Sequence, residues 1–178
     1  MQQRNIPLFI FFLLIIILGG TSCGSSKSTL YNPKEVYQLS DKLGIQIDNK
    51  NKNDDKHMAL YAESSLWMGV PYRYGGTTKR GVDCSGFVSQ IYAKVYRKNT
   101  PRSTTDLAKK GKNVSKSKLK PGDLVFFATT NNKKKITHVG IFLKDGYFVH
   151  ASTSRGVIVS HLSENYYKER WVRGRKLQ

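Results

Sequence analysis

Residues 81–96 read GVDCSGFVSQIYAKVY, and this stretch predicts the helix around which the rest of the fold is organised. The pattern predicts a helix from Ser85 to Tyr96. Cys84 stands at the start of that helix, directly after Asp83, whose carboxylate is placed to cap it. The apolar side chains of the helix recur at helical spacing, at Phe87, Val88, Ile91, Tyr92 and Val95.

Cys84 is the only cysteine outside the N-terminal leader, because the sequence contains two and the other is Cys23. It therefore cannot form a disulfide within the folded part of the chain. The alternatives are a buried inert thiol, an intermolecular bridge, a metal ligand and a nucleophile. The positive end of a helix dipole favours the thiolate, which is the form that attacks, so we expect the pKa of Cys84 to be lowered.

Two histidines favour the nucleophile among these alternatives. His138 opens one predicted strand and His150 closes the next, and Lys144-Asp145-Gly146 lies between the two strands. If these three residues form a hairpin loop with glycine last, His150 lies opposite Gly140, on the same face as His138 and about 7–8 Å away along the diagonal. A two-residue loop would instead place the two rings on opposite faces.

One imidazole would then accept the proton of Cys84 while the other orients the first ring, which is the nucleophile–base–orienter arrangement. The same three side chains could instead bind Zn²⁺ as a Cys-His-His set. The sequence has neither the short ligand spacing nor the cysteine pair that is typical of zinc sites. We therefore expect a nucleophile, with no metal and no cofactor.

The chain changes from helices to strands after Pro121-Gly122. A helix is predicted from Lys56 to Met68, before Pro71. Helices followed by consecutive short strands indicate an α+β fold with an antiparallel sheet. The predicted strands are Asp123–Phe127, His138–Leu143, Tyr147–His150, Gly156–Ser160 and Arg170–Arg175.

The N-terminal part is divided by composition into three segments. Residues 1–22 have the order of a secretory signal, with an apolar run shorter than the about 20 residues of a membrane span. Residues 23–54 are predicted to be a tether with a short helix at 33–43, where Pro33 suits the first helical position and Gly44 the end. Asp48–Lys56 contains no apolar residue and is predicted to be a linker, so we expect the folded domain at 55–178.

The leader resembles a bacterial lipoprotein signal, in which the cysteine after the small residues becomes the acylated first residue. That cysteine is Cys23, which follows Gly20-Thr21-Ser22. Two or more acyl chains anchor a protein stably, so we expect the lipid on Cys23 to hold the protein in a membrane. Gly24 follows Cys23, which by resemblance to the sorting rule of enteric bacteria favours the outer membrane, with the protein facing the periplasm.

The chain is strongly basic, with 30 Lys and Arg residues against 12 Asp and Glu residues. Such a charge often indicates nucleic acid as the partner, but a secreted lipoprotein meets little nucleic acid, and we expect none. The anionic polymers of the cell envelope are peptidoglycan and lipid head groups. The basic surface is expected either to bind these polymers or only to aid solubility.

Six motifs occur in the order of a known family. Together they resemble the NlpC-like family of papain-like cysteine peptidases, which are bacterial cell-wall endopeptidases, over about 58–175. The resemblance extends to the lipoprotein murein endopeptidases and implies a circularly permuted papain-like core, with the nucleophile on a helix N-terminus packed against an antiparallel β-sheet. The motifs are Tyr72-Arg73-Tyr74-Gly75-Gly76, Asp83-Cys84-Ser85-Gly86-Phe87-Val88, Pro101-Arg102-Ser103-Thr104, Pro121-Gly122-Asp123-Leu124-Val125-Phe126-Phe127, His138-Val139-Gly140-Ile141-Phe142 and Phe148-Val149-His150-Ala151-Ser152.

The resemblance also implies roles for individual residues. Cys84 matches the nucleophile, His138 the base, and His150 the residue that orients His138. Tyr72 matches a tyrosine whose hydroxyl, with the backbone N–H of Cys84, holds the oxyanion. Positions that shape the substrate groove are matched by Asp83, Ser85 and Arg102.

The implied function is that of a monomeric, lipid-anchored cysteine endopeptidase acting on peptidoglycan. It would cleave amide bonds in stem peptides or cross-links, at D-Glu–diamino acid bonds or at cross-link bonds. Two alternatives remain: an amidase or acyltransferase that uses the same site on another amide or lipid, and a non-catalytic basic lipoprotein that holds the wall to the membrane. The complete set of Cys84, His138, His150 and Tyr72 argues against the non-catalytic alternative.

Overall fold

The computed structural model describes residues 31–48, 50–133 and 135–177, so the leader and the predicted lipidation site at Cys23 lie outside the described residues. The helices in chain order are α1 (Pro33–Leu43), α2 (Lys52–Ser65), α3 (Cys84–Tyr96), α4 (Thr104–Leu107) and α5 (Asn165–Arg170), with a 3₁₀ turn at Lys116–Lys118. The strands are β1 (Thr77–Thr78), β2 (Gly81–Val82), β3 (Lys112–Val114), β4 (Leu124–Phe127), β5 (His138–Lys144), β6 (Tyr147–Ser152), β7 (Gly156–His161) and β8 (Trp171–Lys176).

Six of the strands form one antiparallel sheet in the order β3-β8-β4-β5-β6-β7, and β1 pairs with β2 in a small hairpin. Strands β4 to β8 correspond to the five strands predicted from the sequence, with ends that differ by one or two residues. The predicted α+β fold with an antiparallel sheet is confirmed.

The sheet is covered by apolar side chains on both faces. Phe87, Val88 and Ile91 of α3 are fully buried against one face, in the same cluster as Val139 and Ile141 of β5. A second, mainly aromatic cluster covers the opposite face, because successive strand residues point to opposite sides. Full burial of one such side chain stabilises the fold by about 1.5–3 kcal/mol, so the two clusters fix α3 and the sheet relative to each other. The second cluster comprises Val125, Phe127, Phe142, Phe148, Leu162 and Tyr167.

The predicted short helix at residues 33–43 is present as α1. The side chain of Asn32 accepts from the backbone N–H of Lys34, and Glu35 accepts from the backbone N–H of Asn32, so the first turn is capped from both sides. Gly44 ends the helix in the left-handed conformation, with φ of 63°.

The prediction of a linker over Asp48–Lys56 is wrong for most of that stretch. Helix α2 begins at Lys52, four residues before the predicted start. Asp54 is 1% exposed and forms an ion pair with Lys144 of β5, with 2.7 Å between Oδ2 and Nζ. The same carboxylate oxygen accepts from the backbone N–H of Asp48. The carboxylate of Asp54, which lies in this charge-rich stretch, thus connects α2 to the sheet.

The sequence patterns missed the short elements β1, β2, β3, α4 and α5. Each has two to six residues, which is too few for a periodic pattern to show. The lysine-rich segment at residues 131–135 connects β4 with β5, and its described residues 131–133 and 135 are exposed.

The turn between β5 and β6 differs from the predicted three-residue loop. Lys144 pairs with Tyr147, so Asp145 and Gly146 form a two-residue turn, and both have positive φ, of 49° and 85°. A bulge between Phe142 and Lys144 restores the predicted register, with Ile141 paired to Val149. His150 therefore follows the pair in the position expected from the sequence, on the same face as His138.

No helix in the described part of the chain is both long enough and apolar enough to cross a lipid bilayer.

Candidate active site

Cys84 is the first residue of α3, as predicted, and Asp83 caps the helix. One carboxylate oxygen of Asp83 accepts from the backbone N–H of Gly86, with 2.7 Å between the atoms. The thiol side chain is 6% exposed. The helix start is thus held by a buried carboxylate directly beside the sulfur-bearing residue.

Asp83 also connects the helix start to the neighbouring loops. Its carboxylate accepts from both terminal nitrogens of Arg102, at 2.8 and 2.7 Å, and from the backbone N–H of Gly75 at 2.8 Å. Ser85 donates to Asp83 and accepts from Arg102. Burial raises the pKa of Asp83, but the hydrogen bonds from Arg102, Gly86 and Gly75 outweigh it, so the pKa is lowered and the carboxylate stays ionised.

The structure therefore brings three of the predicted groove residues into one network, in which they hold the nucleophile's helix. Arg102 remains partly open to the pocket beside Cys84, with a side-chain exposure of 45%. Gly86 allows this packing, because a Cβ at that position would collide with the carbonyl oxygen of Gly76.

The sulfur of Cys84 lies between α4 and the start of β5. Its Sγ is 3.5 Å from Oγ1 of Thr104. Burial raises the pKa of Cys84, and the hydrogen bonds from Thr104 and from the backbone N–H groups of Val139 and Ser85 only partly oppose it. The expectation of a lowered pKa is wrong, because the cost of burying a charged sulfur exceeds the effect of the helix end.

His138 and His150 are brought together as the register predicted. His138 Nε2 and His150 Nδ1 are 2.9 Å apart, and the two rings are perpendicular. Gly140 lies between them in the pleat, and a Cβ there would press on the Phe148 ring and on Cβ of His150. A glycine at this position is therefore needed for the two strands and their rings to approach.

The cysteine and the histidines approach from the two faces of the sheet. His150 stacks on Phe148 within the second apolar cluster, whereas Cys84 belongs to the cluster under α3. Cys84 and the two histidines meet at the sheet edge where β5 begins. His138 is the first residue of β5, and the backbone N–H of the following residue, Val139, contacts the sulfur of Cys84. The ring nitrogen of His138 turned away from His150 is Nδ1.

Two further residues contact His150, and the sequence analysis missed both. Nε2 of His150 is 3.2 Å from Oγ of Ser160 and 3.1 Å from the hydroxyl oxygen of Tyr167. Ser160 comes from β7 and Tyr167 from α5. Ser160 could have been found on the adjacent predicted strand, where it pairs with Phe148 and lies one diagonal step from His150 on the same face, whereas nothing in the sequence signals Tyr167.

Burial keeps both histidines neutral. It lowers the pKa of His138 from 6.5 to about 4, and it lowers that of His150 well below the ordinary value, helped by the charges of His138 and Arg155. A thiol with a raised pKa beside a neutral imidazole is an uncharged pair. The site therefore holds a proton on sulfur and an unprotonated base at neutral pH.

Tyr72 lines the same pocket as Cys84 and Arg102. Burial, followed by the charges of Cys84 and Asp83, raises the pKa of its hydroxyl, so the phenol keeps its proton and can donate a hydrogen bond. Among the described residues, no three His, Cys, Asp or Glu side chains converge in a cluster that could hold a metal ion.

Comparison with known proteins gives matches over most of the described chain. Residues 69–176 match the NlpC/P60 family. The chain is 41% identical over 132 residues to the Escherichia coli K12 protein named murein DD-endopeptidase MepS/murein LD-carboxypeptidase, covering 74% of this chain and 69% of that protein. It is 41% identical over 186 residues to the Haemophilus influenzae protein named probable endopeptidase NlpC homolog, covering 92% and 97%.

A crystal structure of an NlpC/P60 family protein from Bacillus cereus is similar in fold, with a TM-score of 0.62 at 32% identity. The match covers 67% of this chain and 39% of the other, so the chain spans about two fifths of that solved structure. The predicted fold class, the NlpC-like family and the cysteine peptidase class are confirmed. This chain belongs to the NlpC/P60 family.

Proposed function

We propose that this protein is a lipid-anchored cysteine endopeptidase that hydrolyses amide bonds in peptidoglycan. The observation that carries the proposal is the arrangement at one edge of the sheet. Cys84 begins a capped helix, and its sulfur contacts the N–H of Val139, the residue after His138. His138 in turn contacts His150 at 2.9 Å. This is the order nucleophile, base, orienter.

In the proposed reaction, Nδ1 of His138 takes the thiol proton as Sγ of Cys84 forms a bond to the scissile carbonyl carbon. The oxyanion accepts hydrogen bonds from the Tyr72 hydroxyl and the Cys84 backbone N–H. His138 then gives the proton to the departing amide nitrogen, the C–N bond breaks, and an acyl-enzyme remains. A water molecule, deprotonated by His138, releases the acid and restores the thiol.

The chain of hydrogen bonds behind His138 fixes which of its nitrogens is the base. For Nδ1 to accept a proton, Nε2 must carry the hydrogen and donate it to Nδ1 of His150. His150 then carries its own hydrogen on Nε2, which requires an acceptor. Ser160 and Tyr167 supply two acceptor oxygens at that position, so they act as positioning residues for the base.

The bond cleaved is proposed from the relatives. One relative is named a murein DD-endopeptidase and LD-carboxypeptidase, which supports bonds to D-amino acids in cross-links and stem peptides. We propose the D-Glu–diamino acid bond of the stem peptide as the second class of bond that the protein cleaves.

Lipidation of Cys23, with the protein held in the outer membrane and facing the periplasm, also stays a proposal. It is supported by the order of basic, apolar and small residues that ends at Cys23. The chain has 30 basic residues and 12 acidic residues, and this positive charge agrees with an anionic polymer as the substrate.

The first prediction concerns the nucleophile and the base. Cys84→Ala and His138→Ala should each lower kcat/KM on purified muropeptides by roughly 1,000-fold or more, since each removes a group that takes part in bond breaking. His57→Gln, a histidine of α2 away from the site, should retain activity. The measurement is chromatography and mass spectrometry of the products, with thermal unfolding to show that the variants fold. Full activity in Cys84→Ala would rule out the proposed chemistry.

The second prediction is the pH dependence. Because burial lowers the pKa of His138 to about 4, kcat/KM should stay nearly constant from pH 7 down to about pH 5 and then fall. In the unfolded chain His138 and His150 bind protons below about pH 6.5, whereas burial disfavours their protonation in the folded chain. The free energy of unfolding should therefore decrease between pH 6.5 and 4, by up to about 1.4 kcal/mol per pH unit for each buried histidine.

Urea unfolding at several pH values measures this slope, and His150→Gln should reduce it. A kcat/KM profile with an apparent pKa at or above 6.5 would contradict a buried, neutral His138.

The third prediction concerns Ser160 and Tyr167. The double variant Ser160→Ala/Tyr167→Phe should lower kcat about 10-fold with KM unchanged, because His150 loses both acceptors and its tautomer is no longer fixed. Nitrogen-15 NMR of the imidazoles should show a mixture of His150 tautomers in the variant and one tautomer in the wild type. Tyr147→Phe, on the other face of β6, is the matched control. An unchanged tautomer with reduced kcat would mean that the two residues support only the fold.

The fourth prediction concerns the anchor. Cys23→Ala should move the protein from the membrane fraction to the soluble periplasmic fraction, because acyl chains supply the attachment. Metabolic labelling with a fatty acid should mark the wild type and not the variant. A variant that still fractionates with membranes would show that another feature holds the protein there.

A further inference from the structure

A strongly basic segment precedes β4, and the proposed reaction makes no use of it. Residues 109–120 contain six lysines and no acidic residue. All six lysines are exposed, and in the described part of the chain only Lys109 among them forms an ion pair, with Asp106. Because like charges repel one another, a cluster of this kind favours the binding of an anionic partner.

Two of these lysines, Lys116 and Lys120, line a pocket of about 570 Å³. Phe142 and Lys144, near the end of β5, line the same pocket, whereas His138 is the first residue of that strand. An antiparallel strand rises about 3.4 Å per residue, so Lys144 lies about 20 Å from His138 along β5. The lysine pocket is therefore separate from the site of Cys84.

The fold holds both lysines at the pocket. The Nζ of Lys116 donates to the backbone carbonyl of Leu162 at 2.9 Å and lies 5.6 Å from the centre of the Trp171 ring. The backbone N–H of Lys120 donates to the buried carboxylate of Asp123 at 2.8 Å. An ammonium group carries three donors, so Lys116 keeps two for a ligand after its bond to Leu162.

The positive charge of the pocket is not balanced by its own wall. Lys144 is neutralised by the buried Asp54, with 2.7 Å between the charged atoms, and also contacts Asp145 at 3.7 Å. Asp145 is the only acidic residue among the described residues that line the pocket. Lys116 and Lys120 form no ion pair with any acidic side chain that the structure describes. Two ammonium groups are therefore available to an anion.

Part of the pocket wall is apolar. Leu119, Phe142 and Leu162 contribute to it, and Ser117 and Asn53 add polar groups. Apolar surface beside two ammonium groups suits an organic ligand that carries a carboxylate, such as a segment of a peptide or of a glycan–peptide polymer. An inorganic anion would use the ammonium groups and leave the apolar surface uncovered.

The pocket also lies away from the point where the chain enters the described domain. Asn53, which lines the pocket, is the second residue of α2. Tyr31, the first described residue, instead lines a groove with Ala62 and Ser65, about 14 Å or more further along α2. The proposed anchor at Cys23 joins the domain through Tyr31. The substrate polymer is therefore favoured over membrane head groups as the ligand of the lysine pocket.

We propose that the lysine pocket is a second binding site for peptidoglycan, in which Lys116 and Lys120 bind a carboxylate of the polymer about 20 Å from the bond that is cleaved. The inference rests on the proposed peptidase function, which makes this polymer the substrate. A polymer held at the lysine pocket presents its amide bonds to Cys84 at a raised effective concentration. The pocket therefore acts on the binding of long substrates and takes no part in the chemical step.

Binding is measured with the full chain in detergent, in a Cys84→Ala background so that the wall is not digested. The test variant is Lys116→Gln/Lys120→Gln. The control, Lys110→Gln/Lys112→Gln, removes the same charge from the same segment but outside the pocket wall. The probes for co-sedimentation are purified peptidoglycan sacculi and the same sacculi with their carboxylates converted to amides. Thermal unfolding shows whether the variants fold, and Lys120→Gln alone leaves the contacts of Lys116 intact.

The test variant should bind untreated sacculi about 5-fold more weakly, since each exposed charge pair contributes a modest amount. Lys120→Gln alone should give about 2-fold weaker binding. On amidated sacculi the test variant should match its parent, because the carboxylate is gone. At physiological salt the control should stay close to its parent, since exposed charges beyond about 8 Å are screened. Equal losses in the test variant and the control, or no loss in either, would overturn the proposal.

Vesicles distinguish the polymer from a membrane. Neutral and anionic phospholipid vesicles take up the same acyl chains, so the extra binding to the anionic vesicles reports the head groups. The test variant should lose binding to sacculi and keep this extra vesicle binding. A variant that loses only the vesicle binding would assign the lysine pocket to lipid and overturn the proposal.

Turnover gives the independent reading in an otherwise wild-type chain. The test variant should raise the half-saturating concentration of sacculi about 5-fold with kcat unchanged. A free stem tetrapeptide spans at most about 14 Å, too short to reach both sites, so its kcat/KM should change no more than in the control. A fall in kcat on both substrates would overturn a role in binding alone. Because sacculus binding is measured without turnover, a wild type that binds sacculi through the pocket but cleaves neither substrate would overturn the peptidase function only.

Discussion

The site depends first on the register between β5 and β6. Pairing of Ile141 with Val149 places His138 and His150 on one face, one diagonal step apart, and brings Nε2 of one within 2.9 Å of Nδ1 of the other. A shift of one residue would move every side chain of one strand to the opposite face. The tight Asp145-Gly146 turn would by itself impose that shift, and the bulge before Lys144 corrects it. The bulge is therefore part of the site although it lies at the far end of the hairpin.

The second constraint is the buried carboxylate of Asp83. It fixes the start of α3 through Gly86, the preceding loop through Gly75, and the next segment through Arg102. Cys84 is thus positioned by a network that stays ionised, while the reacting pair itself is uncharged. Burial accounts for the uncharged pair, because it raises the pKa of the Cys84 thiol and lowers that of the His138 imidazole. Burial also raises the pKa of Asp83, but the hydrogen bonds from its guanidinium and N–H partners outweigh it and stabilise the charge. In the proposed reaction the thiol therefore loses its proton to His138 as the sulfur attacks the carbonyl carbon, and not before the substrate binds.

The parts of the fold that sequence predicted are those encoded by local periodicity. The short apolar runs after Pro121-Gly122 predicted β4 to β8, and helical spacing predicted α3 with the cysteine at its start. The charged stretch Asp48–Lys56, which contains the first turn of α2, was wrongly predicted to be a linker because Asp54 forms its ion pair with Lys144, 90 residues away. The sign of the Cys84 pKa shift was wrong because burial is a tertiary property that the helix position does not report. Tyr167 was missed for the same reason, since it reaches His150 from a six-residue helix with no pattern of its own.

The central claim is that Cys84 forms a covalent acyl-enzyme, with the proton passing through His138. Rapid quenching of the enzyme in acid during turnover of a stem peptide, followed by mass spectrometry of the intact protein and its fragments, tests it most directly. The account predicts a transient mass increase equal to the acyl part of the substrate, located on the fragment that contains Cys84 and absent in Cys84→Ala. Turnover without any such adduct, retained in Cys84→Ala, would contradict it.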